Sequence, residues 1–106
     1  MDDLKRSRYQ ARARIVKALA HPSRLLIIDL LSEGERCVCE IQPEVGADMS
    51  TVSKHLALLR ESGLVSDERR GNQVFYTLRA TCVPRLLACI ENVVQENAKR
   101  QLELAQ

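Results

Sequence analysis

Apolar residues recur every three or four positions through the first half of the chain, a spacing that is typical of amphipathic helices. A first helix is predicted over residues 9–20, after a polar segment at 1–8 that we expect to be loose. Pro22 interrupts this pattern and suits the first turn of the next helix. The run SRLLIIDLL, at 23–31, is apolar on most sides and predicts a buried central helix that ends at Gly34.

A short helix, a tight turn and a capped helix are predicted next. The short helix covers roughly 38–45 and is followed by a turn at Gly46. Asp48 is a good N-cap for a further helix that runs to about Ser62, and Gly63 suits the position just after its end. The stripe expected to face the core is Val52, Leu56 and Leu59.

After this helix the pattern changes to the alternation of β-strands. Residues 64–68 and 73–78 are predicted as two short strands, joined by a turn at 69–72 into a hairpin. Thr81 is a candidate cap for a last helix from about 82 to near 102. The chain is therefore predicted to be mainly α with a small β-hairpin, in the order α-α-α-α-β-β-α. This is the arrangement of a winged helix-turn-helix.

Length and composition limit the class of protein. A chain of 106 residues predicts a single domain over residues 1–106, and a domain of this size often gains stability by forming an oligomer. Apolar positions on the first and last predicted helices favour a homodimer, because one small domain would leave them exposed. They include Ile15, Leu19, Leu86, Ile90 and Val93.

Charge and hydropathy narrow the choice of partners. The formal net charge of +2 is too small to indicate a nucleic-acid partner by itself. The evidence for such a partner therefore has to come from where the basic residues lie. No apolar run approaches the length of a membrane span, and the basic N-terminus lacks the apolar segment of a signal peptide. We expect a cytoplasmic location, where four cysteines serve better as free thiols, metal ligands or redox switches than as structural disulfides. Without a phosphate-binding glycine loop or a nucleophile elbow, an enzyme is not expected.

Two predicted elements carry polar side chains suited to DNA. Hydroxyl groups near a helix N-terminus can bind phosphates or base edges, and two arginines beside a glycine turn suit the minor groove or the backbone. The candidates are Ser50, Thr51, Ser53 and Lys54 on the helix, and Arg69, Arg70, Asn72 and Gln73 on the hairpin. The alternative is that these are solvated polar positions. His55 is interpreted as a packed or phosphate-facing histidine, and His21 as a helix-end group.

The segment ERCVCEIQ, Glu35–Gln42, places two cysteines one residue apart in a predicted helix. At about 100° per residue, Cys37 and Cys39 would point roughly 200° apart and could reach one atom only if the backbone unwound. Unwinding costs least at or before the first helical turn, where Cys37 is expected. From the spacing alone, two small buried apolar side chains are the alternative.

Four segments in this order resemble the ArsR/SmtB family of bacterial metalloregulatory repressors. They are LAHPSRLLIIDLL, CVCE, STVSKHLALLRESGLV and RRGNQVFYTL, and the resemblance covers about residues 10–100. It implies a homodimer, built on the first and last helices, that binds double-stranded operator DNA without a cofactor and releases it when a toxic metal or metalloid binds. Members usually carry Ser-Gln where this chain has Asp48-Met49, which leaves the base preference open.

The resemblance also implies that Cys37 and Cys39 are thiolate ligands. The arsenic pattern often adds a third cysteine where this chain has Gln42, and the cadmium and lead pattern adds cysteines from an N-terminal arm that has none here. The Asp and His of the zinc pattern are missing from the last helix. The expected inducer is As(III), Sb(III) or another soft thiophilic ion, with Cys82, Cys89 or a small cellular thiol as a candidate third ligand.

Alternatives remain for the cysteines and for the signal. Cys82 and Cys89 lie roughly 10 Å apart along one helix, too far for a disulfide between them. They could pack at the dimer interface, supply the third ligand or form a redox pair across subunits. The protein could also be a thiol-redox or persulfide-sensing repressor of the same fold, or a DNA-binding dimer with inert cysteines.

Overall fold

The computed structural model describes all residues from 1 to 106 and contains five helices and three strands. In chain order these are α1 (Asp3–Leu19), α2 (Pro22–Ser32), β1 (Arg36–Cys37), α3 (Val38–Val45), α4 (Met49–Glu61), β2 (Val65–Arg70), β3 (Gln73–Leu78) and α5 (Val83–Leu104). The predicted order is confirmed, with one addition, the short strand β1. We call β2, β3 and the turn between them the wing.

The core lies between the central helix α2, the helix pair α3 and α4, and the sheet. Ile27 and Ile28 of α2 are completely buried, as the apolar run predicted. The predicted stripe of α4 is confirmed as well, because all three of its residues are buried. The remaining members are Leu19, Leu31, Ile41, Leu64, Val65, Tyr76 and Val83.

The turn between α3 and α4 follows the predicted chemistry. Gly46 ends α3 with a φ of 77°, a left-handed conformation that glycine adopts without strain. Asp48 then caps α4, since its carboxylate accepts the backbone N–H of Thr51 at 2.7 Å. That hydrogen bond holds the pKa of Asp48 below its ordinary value. Gly63 follows α4 with a φ of 82°, which confirms the predicted end of the helix.

The strand β1 joins the middle segment of the chain to the wing. β3 is the central strand of an antiparallel sheet in the order β1-β3-β2. Cys37 pairs with Phe75 and Arg36 with Tyr76, while the hairpin register runs from Val65 opposite Leu78 to Arg70 opposite Gln73. The predicted turn at 69–72 is therefore too long, because Arg69 and Arg70 belong to β2.

Both terminal helices depart from the predictions. α1 begins at Asp3, because the Asp2 carboxylate accepts the N–H of Lys5 at 2.7 Å and starts the helix early. The expectation of a loose segment at 1–8 was wrong. Thr81 does not cap α5, since Cys82 occupies the N-cap position. Leu19 was expected to face a partner but lies in the core, at 5% exposure.

The two histidines lie where the start of α2 contacts α4. His21 is the N-cap of α2, and its Nδ1 accepts the N–H of Ser23 at 3.0 Å, which confirms its interpretation as a helix-end group. Its ring centroid lies 4.3 Å from that of His55. His55 is half-buried, and its Nδ1 has no hydrogen-bond partner. Burial, followed by the charges of His21 and Arg24, lowers the pKa of His55.

The packing of α4 can be tested with two adjacent leucines. Leu59→Ala should lower the free energy of unfolding by about 2–5 kcal/mol, because Leu59 is completely buried and its removal leaves a cavity. Leu58→Ala makes the same chemical change at a side chain that is 45% exposed, so its cost should be clearly smaller. Urea denaturation followed by circular dichroism measures both. Equal losses would contradict the placement of the α4 stripe.

We also expect stability to fall on mild acidification because of His55. Since the folded-state pKa of His55 lies below its ordinary value of 6.5, the unfolded chain binds the proton more readily. The contribution of His55 to the free energy of unfolding is complete above pH 6.5 and is lost as the pH falls through the lowered folded-state pKa. Urea midpoints should therefore decline from about pH 7 to about pH 5, and decline less in His55→Gln.

The exposed neighbour Lys54 supplies the control for this experiment, because Lys54→Gln should retain the wild-type decline. Glu35 and Asp48 do not interfere, since their pKa values are lowered from 4.5 and 3.8 and their effects appear only in stronger acid. A decline in His55→Gln as steep as in the wild type would exclude His55 as its cause.

Candidate functional site

The two cysteines of the segment CVC face each other. Cys37 ends β1 and is the N-cap of α3, with φ −79° and ψ 158°, whereas Cys39 lies in the first turn of α3. Their Cα atoms are 5.2 Å apart and their sulfurs are joined as a disulfide. The expectation that the sulfurs point roughly 200° apart was wrong, because it assumed helical backbone at Cys37. The placement of Cys37 before the first turn is confirmed, and no helix must unwind to bring the sulfurs together.

The cysteine pair lies between the sheet and the solvent. Cys37 is buried, at 3% exposure, but it is not a member of the main core cluster, while Cys39 is exposed. The backbone N–H of Cys37 donates to the Glu40 carboxylate at 3.2 Å, which fixes the start of α3. A small reagent therefore approaches the pair from the Cys39 side, while Cys37 connects the pair to the sheet.

The candidate third ligands do not join this pair within one chain. Cys82 stands at the start of α5, Cys89 lies on that helix, and both are exposed free thiols, without the mutual disulfide that their spacing excluded. No three His, Cys, Asp or Glu side chains lie close enough together to hold a metal ion. The prediction that Cys82 or Cys89 completes the site is thus not met by a single chain.

The DNA candidates of the helix α4 share one exposed region. Ser50, Thr51, Ser53 and Lys54 are all exposed in its first half. The Thr51 N–H is already bound by the Asp48 carboxylate, whose lowered pKa keeps it ionised. This carboxylate occupies the position at which a helix N-terminus would receive a phosphate. The Thr51 N–H is therefore not free to bind a DNA phosphate.

The two arginines of the wing differ in their surroundings. Arg69 is exposed and forms no ion pair, and Asn72 and Gln73 beside it are exposed too. The Arg70 guanidinium donates to both carboxylate oxygens of Glu35, at 2.6 and 2.9 Å, and to Glu68 at 2.8 Å. These hydrogen bonds lower the pKa of Glu35 and raise that of Arg70. Arg69 is therefore the freer cation for a phosphate.

Sequence reasoning missed the role of Glu35. Its partner Arg70 is 35 positions away, and the contact depends on a strand of only two residues. No periodic pattern can show a strand this short. The only available signal was the position of a carboxylate two residues before Cys37.

None of the five helices is both long enough and apolar enough to cross a membrane.

The family model described as "Bacterial regulatory protein, arsR family" matches residues 21–67. The matched segment contains α2, β1, α3, α4 and the first residues of β2. It therefore includes the cysteine pair and the exposed polar region of α4, while α1, β3 and all of α5 lie outside it.

Related proteins extend the match over most of the chain. The "Arsenical resistance operon repressor" of Escherichia coli is 38% identical over 94 residues, 88% of this chain and 77% of that protein. The "Biofilm growth-associated repressor" of Xylella fastidiosa is 36% identical over 81 residues, 76% of this chain and 71% of that protein. A homodimeric winged helix-turn-helix DNA-binding domain from Mycobacterium bovis has a TM-score of 0.78 at 36% identity, covering 94% of this chain and 93% of that one. These relatives are transcriptional regulators rather than enzymes, and the chain belongs to the ArsR family of bacterial regulatory proteins.

Proposed function

We propose that this regulator is a repressor that binds double-stranded operator DNA as a homodimer and releases it when Cys37 and Cys39 capture a soft metalloid, most simply As(III). The observation that carries the proposal is the close approach of the two sulfurs across the start of α3. The name of the Escherichia coli relative, an arsenical resistance operon repressor, supports the choice of inducer. A cytoplasmic location follows from this role.

The chemistry needs only the reduced pair. Arsenous acid reacts with two thiols to form two As–S bonds, and two of its hydroxyl groups leave as water with the thiol protons. The third position on arsenic keeps its hydroxyl or takes a small cellular thiol, because no third protein ligand lies beside the pair. Thiolates are soft ligands and prefer soft ions. Sb(III) fits the same description.

The disulfide between Cys37 and Cys39 favours a second candidate signal, oxidation. Peroxide converts the two thiols to a disulfide and is itself reduced to two molecules of water. A polysulfide would first transfer one sulfur to a thiolate, and the second thiol would then displace hydrosulfide to close the same bond. Either reaction would give the DNA-releasing form without a metalloid. The two candidate signals use the same pair of atoms.

Exposed apolar residues on the terminal helices support the homodimer. Ile15 and Val16 of α1 are exposed in the single chain, as are four residues of α5 that face outward. These are Leu86, Ile90, Val93 and Val94. The Mycobacterium bovis relative is a homodimer, and a twofold dimer would present two copies of α4 to half-sites about one helical turn apart.

The exposed polar residues of α4 and the wing support the DNA contact. We assign base reading to Ser50, Thr51 and Ser53, and phosphate contacts to Lys54 and Arg69, because α4 would lie in the major groove and the wing beside it. Asn72 and Gln73 at the wing tip would contact the backbone or the minor groove. Arg70 remains a candidate, but its charge is already matched by two carboxylates.

The DNA assignment predicts different effects for two variants. Arg69→Ala should weaken binding to operator and unrelated DNA together and reduce the salt slope by about one, because one phosphate contact is lost. Ser53→Ala should act mainly on the preferred sequence. Fluorescence anisotropy at several salt concentrations measures both. Arg70→Ala is the matched comparison and should change the slope less than Arg69→Ala. Unchanged affinity in both Arg69→Ala and Ser53→Ala would exclude this placement of the chain on DNA.

The inducer assignment is tested with serine variants. Cys37→Ser and Cys39→Ser should leave folding and operator binding nearly intact but abolish release by As(III), since serine retains the size and loses the soft thiolate. In the wild type, As(III) should lower operator affinity by about 5–150-fold. Ultraviolet absorbance of the As–S bonds and operator anisotropy are recorded in the same titration of the reduced protein.

Cys82→Ser and Cys89→Ser are the matched controls and should release normally. If either one abolishes release, that cysteine supplies a third sulfur, and α5 of the partner must reach the pair. Release by As(III) in the Cys37→Ser, Cys39→Ser double variant would show that the pair is not the sensor. A wild-type protein that ignores As(III) but releases DNA with peroxide or polysulfide would replace the metalloid with the redox signal.

A further inference from the structure

We propose that Glu35 is a positioning residue that connects the cysteine pair to the wing by holding Arg70. This inference rests on the proposed function in one respect, that a change at Cys37 controls DNA binding. It assigns the means by which that change reaches the wing.

The sheet places Glu35, Cys37 and the wing on one surface. Paired residues of antiparallel strands have side chains on the same face, and alternate residues of a strand share a face. Because Cys37 lies opposite Phe75, the register places position 35 opposite Thr77. The Thr77 hydroxyl donates to the Glu35 carboxylate at 3.4 Å, in agreement with this register. Glu35 and Cys37 are therefore neighbours on the same face of the sheet, with the pair Arg36–Tyr76 between them along the strand.

Arg70 extends over the same face from β2, the other edge strand of the sheet. Its guanidinium lies 4.6 Å from the centroid of the Phe75 ring, so it spans the central strand β3. It then contacts both oxygens of Glu35, in the bidentate geometry that fixes an arginine most firmly. Arg70 is the last residue of β2, directly before the turn at Gly71. The ion pair thus fastens the tip of the wing to the segment that carries Cys37.

The pair is better suited to positioning than to stabilising the fold. Arg70 and Glu35 side chains are 46% and 37% exposed, and an ion pair in that environment contributes little to stability. The pair nevertheless fixes the position of the wing tip relative to Cys37, because Glu35 directly precedes β1 and Cys37 is one of the two residues of that strand. A ligand held between the two sulfurs that shifts β1 also shifts Glu35, whereas the disulfide leaves the pair between Glu35 and Arg70 intact. With such a ligand the wing tip loses its fixed orientation, and operator affinity falls.

The test uses Glu35→Gln, with Glu68→Gln as the matched control. Both variants remove one carboxylate from Arg70, but Glu68 lies on β2, with β3 between it and the cysteine segment, and its hydrogen bond is to Arg70. In the wild type, As(III) should lower operator affinity by about 5–150-fold, and in Glu35→Gln this ratio should approach one. The As–S absorbance should be unchanged in Glu35→Gln, because the cysteines still bind. Glu68→Gln should retain the wild-type ratio.

A double variant checks that Glu35 acts through Arg70. Arg70→Gln alone should also bring the release ratio close to one, and adding Glu35→Gln should change it no further. A wild-type ratio in Arg70→Gln or in Glu35→Gln, or an equal loss in Glu68→Gln, would each overturn the inference.

Hydrogen exchange distinguishes a failure of this inference from a failure of the proposed function. In the reduced protein without DNA, amides of β3 should exchange faster in Glu35→Gln than in the wild type or in Glu68→Gln. If the wild type releases DNA with neither As(III) nor an oxidant, the proposed function fails, and the exchange rates alone decide whether Glu35 holds the wing. Equal rates in all three proteins would then overturn the inference as well.

Discussion

The pairing of β1 with β3 is the interaction on which the rest of the site depends. Two residues of extended backbone give Cys37 the φ and ψ of an N-cap, so its side chain leaves the helical path and meets Cys39. The same pairing makes the cysteine segment the third strand of the wing's sheet. If this segment were helical throughout, the sulfurs would diverge and the pair would have no direct route to the hairpin.

Carboxylates near the candidate DNA surface explain why the small net charge of +2 is compatible with binding DNA. Asp48 occupies the start of α4, and Glu35 and Glu68 neutralise Arg70. These acids offset the charge of Arg70 and add negative charge at the start of α4, whereas Arg69 forms no ion pair. Under the proposed function, affinity would then depend on the orientation of the wing and on base contacts as well as on charge.

Sequence patterns predicted those parts of the molecule that rest on local rules. The cap at Asp48, the glycine after α4, the stripe on α4 and the strand over 73–78 were all confirmed, because caps and periodicities act within a few residues. The strand β1 and the contact between Glu35 and Arg70 were missed, because they are set by partners about 35 to 40 positions away. The error about the cysteine geometry had the same origin. Because the prediction did not include β1, it placed Cys37 at the start of a helix.

The two candidate signals also exclude each other at the level of single atoms. As(III) needs two free sulfurs, and the disulfide leaves none, so an oxidised pair cannot bind a metalloid until it is reduced. Both reactions nevertheless tie Cys37 to Cys39 over a short distance and act on the same end of β1. In the proposed function, either reagent would meet the exposed Cys39 first, because Cys37 is buried. The pair between Glu35 and Arg70 is intact beside the disulfide, so the proposed route to the wing applies to a ligand held between the two sulfurs.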